Sequence, residues 1–206
     1  MKKFIVAFLM MLLPLAVFAA EQNPQAVVQT AISGLTERLT KEKPNLKNNS
    51  KLLHTIIEEN ITPYVDIDGI ARGVMGQYYR QANEQQKTQF IGVFKESLIR
   101  TYANGLAAYN NQKVVVKPYK PGNDPKKAQV DVEVTGDSGT VYPVTFQMRQ
   151  DAQGNWKAQN LLLNGINLGL TFRNQFSAAV NANNGSIDKA IANWTPDTSS
   201  LEKKDK

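Results

Sequence analysis

Residues 128–163, AQVDVEVTGDSGTVYPVTFQMRQDAQGNWKAQNLLL, decide the fold class. Val130, Val132 and Val134 alternate with Gln129, Asp131 and Glu133, the period-two pattern of a strand with one buried face. Residues 136–139 form a turn. A second run, 140–149, then places Tyr142, Val144, Phe146 and Met148 on one face. Residues 151–155 turn again and 156–163 return as a further strand. Connections this short imply an antiparallel meander. With an alternating run at 114–119, the sheet has about four strands, and its apolar face has to be covered by helices.

Those helices are legible on both sides. Upstream, Val27, Val28, Ala31, Ile32, Leu35 and Leu39 recur at helical spacing until Lys43, Pro44 and Asn45 predict a break. A second helix carries Leu52, Leu53, Ile56, Ile57 and Ile61 and ends at Thr62 and Pro63. A third follows Asp66, with Ile67, Ile70, Val74, Met75 and Tyr78 as its apolar side. It also holds Gly69, Gly73 and Gly76, each costing about 1 kcal/mol relative to alanine. Their common face implies either close packing on a neighbour or the border of a cavity. Asn83 with Gln86 is a capping box opening a long helix with Phe90, Val93, Phe94, Leu98, Tyr102 and Leu106 inward. Downstream, Leu168, Phe172, Phe176 and Val180 recur every four residues, Asn183, Asn184 and Gly185 stop that helix, and Ser186 caps a last one bearing Ile187, Ile191 and Trp194. The fold class is α+β.

The N-terminus predicts export. Lys2 and Lys3 precede an apolar run, 4–17, interrupted only by Pro14 and too short to span a bilayer comfortably. Val17, Phe18 and Ala19 form a small-x-small site, so cleavage is expected after Ala19. The expected organisation is a signal peptide at 1–19, one domain at 20–196 and a polar, disordered tail at 197–206. Such a protein works outside the cytoplasm, which leaves no ordinary role for nucleic acid. Its mild positive charge, 24 Lys and Arg against 18 Asp and Glu, suits an anionic membrane surface or an acidic protein partner. Lys113, Lys117, Lys120, Lys126 and Lys127 cluster near the first two strands, as a solvated face or a docking patch.

The residues needed for most chemistry are missing. Cysteine is absent, so no disulfide or thiolate metal site exists, and the only histidine, His54, cannot build a metal cluster. It lies beside Leu53 on the second helix, which reads as structural or surface, and phosphate-loop context is lacking. Asp131 and Glu133 have the parity of the solvent side, while Asp66 and Asp68 suit a helix N-terminus. No catalytic pair is singled out; no enzyme activity, metal or cofactor is expected.

Two stretches carry more than periodicity. Residues 73–109, GVMGQYYRQANEQQKTQFIGVFKESLIRTYANGLAAY, and 156–176, WKAQNLLLNGINLGLTFRNQF, together resemble the MlaC family of periplasmic phospholipid-binding proteins, also called toluene-tolerance or auxiliary transport proteins. The chain departs from the family pattern at Asn160, often Asp there, and at Asn167, often Ser. The resemblance implies a curved, NTF2-like antiparallel sheet with helical additions enclosing an apolar pocket for acyl chains. It further implies a monomeric periplasmic carrier of phospholipid between an outer-membrane lipoprotein complex and an inner-membrane ABC transporter with an MCE-domain component, in a system maintaining outer-membrane lipid asymmetry. Roughly 30 methylenes on two chains, at about 0.8 kcal/mol each, would cost on the order of 20 kcal/mol to expose to water, so such transfer needs a carrier.

The expected lipid-binding lining is Val74, Tyr78, Phe94, Leu98, Tyr102, Val130, Val132, Val134, Tyr142, Val144, Phe146, Leu162, Ile166, Leu168 and Phe172. Core and pocket linings share this composition, so the sequence does not separate them. Two rival readings remain: a curved-sheet enzyme, which needs a carboxylate inside the cavity, and a periplasmic chaperone, which needs a groove open along a strand edge.

Overall fold

The computed structural model describes residues 23–46 and 49–197. The expected leader and the tail beyond Asp197 lie outside the described residues. Helices come first: α1 (Pro24–Leu46), α2 (Ser50–Asn60), α3 (Ile67–Met75) and α4 (Glu84–Ala107), with 3-10 turns at Thr62–Tyr64 and Gly76–Arg80. Strands β1 (Val114–Val116), β2 (Lys127–Thr135), β3 (Val141–Gln150), β4 (Trp156–Leu163) and β5 (Ile166–Asn167) follow, then α5 (Leu168–Ala182) and α6 (Ile187–Ala192). The sheet is antiparallel throughout, in the order β1-β2-β3-β4-β5. It has one strand more than the four expected, because Asn164 and Gly165, at φ 50° and 77°, fold the chain tightly back on β4.

The register of β4 is interrupted. Met148 pairs with Ala158 but Gln147 pairs with Asn160, so Gln159 is an extra residue in a β-bulge. One extra residue inverts the side-chain alternation beyond it. Trp156 and Ala158 face α1, yet after the bulge Leu161 opposes Phe146 and Leu163 opposes Val144. Leu162 opposes Thr145, which shares its face with exposed Asp131. The expectation of an inward Leu162 is corrected accordingly.

Local signals position the helices. Asn49, Asp66, Asn167 and Ser186 each accept a hydrogen bond from a first-turn N–H of the helix they precede. The capping box is reciprocal: Gln86 N–H donates to Asn83 Oδ1 at 2.8 Å and Asn83 N–H to Gln86 Oε1 at 3.0 Å. Two expectations change. The first helix does not break at Pro44 but runs to Leu46, whose side chain is buried with Leu39, Leu53 and Ile56; burial outweighs one lost hydrogen bond in a final turn. The third helix ends at Gly76, at φ 56°, so Tyr78 belongs to the 3-10 turn and not to α3.

Small domains usually have one contiguous core. Here the buried side chains form three clusters. One joins α3, α4, α5 and α6 around Phe90, Phe94, Phe172, Phe176 and Trp194. A second packs Val27 and Val28 of α1 on Ala128, Val130, Val132, Met148 and Trp156 of the sheet. The third gathers Leu39, Leu46, Leu53, Ile56 and Ala103 from α1, α2 and α4.

Candidate ligand chamber

A chamber of about 440 Å³ occupies the place where the three clusters would otherwise meet. Phe94, Leu98 and Phe172 line it from the first cluster's side, Phe146 and Ala158 from the second, Leu35 and Leu106 from the third. Ile57, Ile61, Val65, Ile67, Ile70, Ile99, Leu161 and Leu168 complete an almost wholly apolar wall. The helix α4 lines it from Phe94 to Leu106, a length of about 18 Å at 1.5 Å per residue. That is close to half of the roughly 30 Å hydrocarbon thickness of a bilayer, the depth that one leaflet's acyl chains fill.

The chamber opens to the surface, and whatever part of it excludes water is costly to leave empty. The geometry therefore favours an apolar occupant.

Polar groups are few. Asn160 donates through Nδ2 to Gln147 Oε1 and to Asn167 Oδ1, both at 2.9 Å, and its Oδ1 accepts from Gly169 N–H at 2.9 Å. The two positions that depart from the family pattern thus bond each other and cap α5, where Asn167 Oδ1 also accepts from Leu170 N–H at 3.0 Å. The Tyr102 hydroxyl is buried without a hydrogen-bond partner, and burial pushes its pKa above the ordinary phenol value. Lys95 is the only charged residue in the chamber wall among the described residues. Its Nζ lies 2.9 Å from Glu58 Oε2, tying α4 to α2. Thr62, Val65, Ile67 and Lys95 also line an adjoining groove of about 430 Å³ that contains Asp66, Asp68, Asp151 and Lys157.

Of the expected lining residues, Phe94, Leu98, Tyr102, Phe146, Leu168 and Phe172 border the chamber. The rest lie elsewhere. Val74 is buried among α3, α4 and α5, and Ile166 packs on the same cluster. Tyr78 sets its ring edge-on to Phe176 and donates to Asn181 Oδ1 at 3.2 Å. Val130, Val132, Val134 and Val144 belong to the packing between sheet and α1, and Tyr142 packs beside Gly136 near the far end of β3. Inwardness was readable in the valines; distance along the strand from the chamber was not. Sequence reasoning missed Ile57, Ile61, Val65, Ile67, Ile70 and Leu161 as chamber residues. The first five lie in or between α2 and α3, whose apolar periodicity was visible, while Leu161 needed the bulge.

The carboxylates weighed for catalysis stand outside the chamber wall. Asp131 accepts from Thr145 Oγ1 at 2.6 Å, Glu133 pairs with Lys117 at 2.6 Å, and Asp66 accepts from Gly69 N–H and Gln159 Nε2, each at 2.9 Å. His54 lies 3.1 Å from Glu96 on the surface. Among the described residues, no three or more His, Asp or Glu stand together as a metal site, and no helix is long and apolar enough to cross a membrane. The glycines of α3 also find their reason. A Cβ at Gly69 would lie 2.1 Å from Asp66 Oδ2, and Arg173 lies across the bare surface of Gly73 and Gly76, donating from Nε to Gly73 O at 2.6 Å.

A mixed helix-and-sheet frame around an apolar chamber defines a protein built to hold an apolar ligand. The family model described as "MlaC protein" matches residues 29–196, and the chain belongs to the MlaC family. It is similar to the toluene tolerance protein Ttg2D of Pseudomonas putida, with 39% identity over 88% of this chain and 83% of that protein. The intermembrane phospholipid transport system binding protein MlaC of Haemophilus influenzae is 26% identical over 72% of this chain and 71% of its own. Among solved structures, a phospholipid-binding protein from Ralstonia solanacearum in complex with a phospholipid superposes with a TM-score of 0.76 at 26% identity, covering 83% of this chain and 94% of that one.

Proposed function

We propose that this protein is a phospholipid carrier of the periplasm that holds acyl chains in the chamber and shuttles lipid between the outer and inner membranes. The carrying observation is the chamber itself: an apolar void at the meeting point of three core clusters, with Lys95 at its wall. Tails gain the apolar surroundings they leave in the bilayer, while a charged headgroup, costly to desolvate, stays at the rim. No chemical step is needed, so the protein acts as a non-catalytic component without metal or cofactor. Family membership and the leader-like N-terminus support the address. The partners, on the same grounds, are an outer-membrane lipoprotein complex and an inner-membrane ABC transporter with an MCE-domain component.

Mass spectrometry of an organic extract of the gently purified protein tests this reading. Diacyl phospholipid in stoichiometric amount is expected; repeated recovery of protein with no diacyl lipid sinks it.

A further inference from the structure

Among the described residues the chamber wall carries one charge, and its position is informative. Lys95 projects from α4 at the boundary shared by the apolar chamber and the polar groove, so it borders both an apolar wall and a polar space. Its present partner is a poor resting place. Glu58 binds it through Oε2 at 2.9 Å, but Glu58 Oε1 is buried with no hydrogen-bond partner. Glu58 is a partly exposed side chain, but its one buried, unpartnered oxygen costs free energy, and an ammonium with three donors can take another anion in its place. The second cation of the groove, Lys157, is committed to the carbonyl of Pro63, which leaves Lys95 as the one that borders both spaces.

We propose that Lys95 binds the phosphate of the cargo lipid, and that Glu58 is its surrogate and competitor when no headgroup is present. The assignment rests on the carrier reading and adds to it a specific site: phosphate at the chamber boundary, remainder of the headgroup in the groove beside Asp68 and Lys157. Phosphate recognition there gives the protein a means to prefer phospholipid over an uncharged lipid with the same tails.

The test is a competition between two such lipids. The mature protein is equilibrated with vesicles containing equal amounts of dioleoylphosphatidylglycerol and dioleoylglycerol, re-isolated, and its bound lipids are measured by mass spectrometry. In Lys95→Gln the ratio of phospholipid to diacylglycerol should fall roughly tenfold, the effect of one charge-assisted hydrogen bond. Lys95→Arg should keep the ratio. Glu58→Gln, which removes a competing negative charge beside the ammonium, should raise it. Ratios within twofold of wild type in both Lys95→Gln and Glu58→Gln overturn the assignment and leave the carrier reading standing. A fall in both variants also overturns it, because the pair would then be a strut between α2 and α4. Wild-type protein that takes up neither lipid overturns both. Inorganic phosphate alone, titrated calorimetrically, should give no saturable heat; saturable binding lost in Lys95→Gln would mark a free-anion site and overturn the lipid assignment.

Discussion

At the scale of single residues, Tyr102 is the most exposed to test. Its hydroxyl sits buried without a partner, a burden of about 1–3 kcal/mol for a polar group of that kind. Tyr102→Phe should therefore stabilise the lipid-free protein by about 1 kcal/mol, read as a higher urea midpoint at unchanged slope. The pH dependence has a definite sign. Burial raises the folded pKa of this phenol, so the folded state holds the proton more tightly than the unfolded chain. The neutral phenol's contribution is fully present below the unfolded phenol value, about 10, and is lost as pH rises through the folded value. The wild-type protein should show this alkaline loss and Tyr102→Phe should lack it. Asp124 runs the other way: the N–H of Lys126, then Lys127, holds its carboxyl below the usual value, so its contribution is lost on acidification.

Among elements, α3 shows what glycine contributes beyond flexibility. Gly76 stands at φ 56° and ψ −124°, where a Cβ is strained, and Arg173 Cδ and Cγ lie 3.4 Å from where that Cβ would be. Gly76→Ala should cost about 1–3 kcal/mol in a chemical denaturation series. Elements were also where sequence reading succeeded and failed for identifiable reasons. Caps and the capping box are local contracts between residues three apart, and they were legible. The alternation in β2 and β3 was legible because those strands keep their register over nine pairs. In β4 the alternation misled, since Gln159 bulges and hands the inward position from Leu162 to Leu161. Nothing in QNLLL marks that shift; three leucines in a row fit either parity. Pro44 misled for the opposite reason, because the burial of Leu46 that overrides it is a tertiary fact.

For the whole molecule, the arrangement of clusters matters more than the identity of any one wall residue. A volume of 440 Å³, at about 30 Å³ for a group the size of a water molecule or methylene, takes about 15 such groups, which is one acyl chain. A void of about 50 Å³ under α1, space for one or two such groups at about 30 Å³ each, shares Ile61, Val65, Phe146 and Ala158 with the chamber, so those four form the partition. Leu98→Trp, which fills the chamber from α4, should leave the protein folded and reduce co-purified lipid severalfold in the extract. A folded variant with undiminished lipid would count against the chamber as the place where tails lie. The site as a whole was legible only as a composition, because a core residue and a pocket residue differ in what lies beyond them, and that is set by how helices and sheet are spaced.

Separation into three clusters has a consequence for cooperativity. Two-state unfolding requires that the parts of a domain lose their packing together, and here the clusters are joined through α1 and α4, each of which contributes to two of them, and not by side chains meeting across the chamber. Acyl chains touching all three sides would supply the missing coupling. Loading would then do more than carry cargo: it would add packing across the chamber to what α1 and α4 already join, and the loaded protein should unfold at a higher urea midpoint than the empty one.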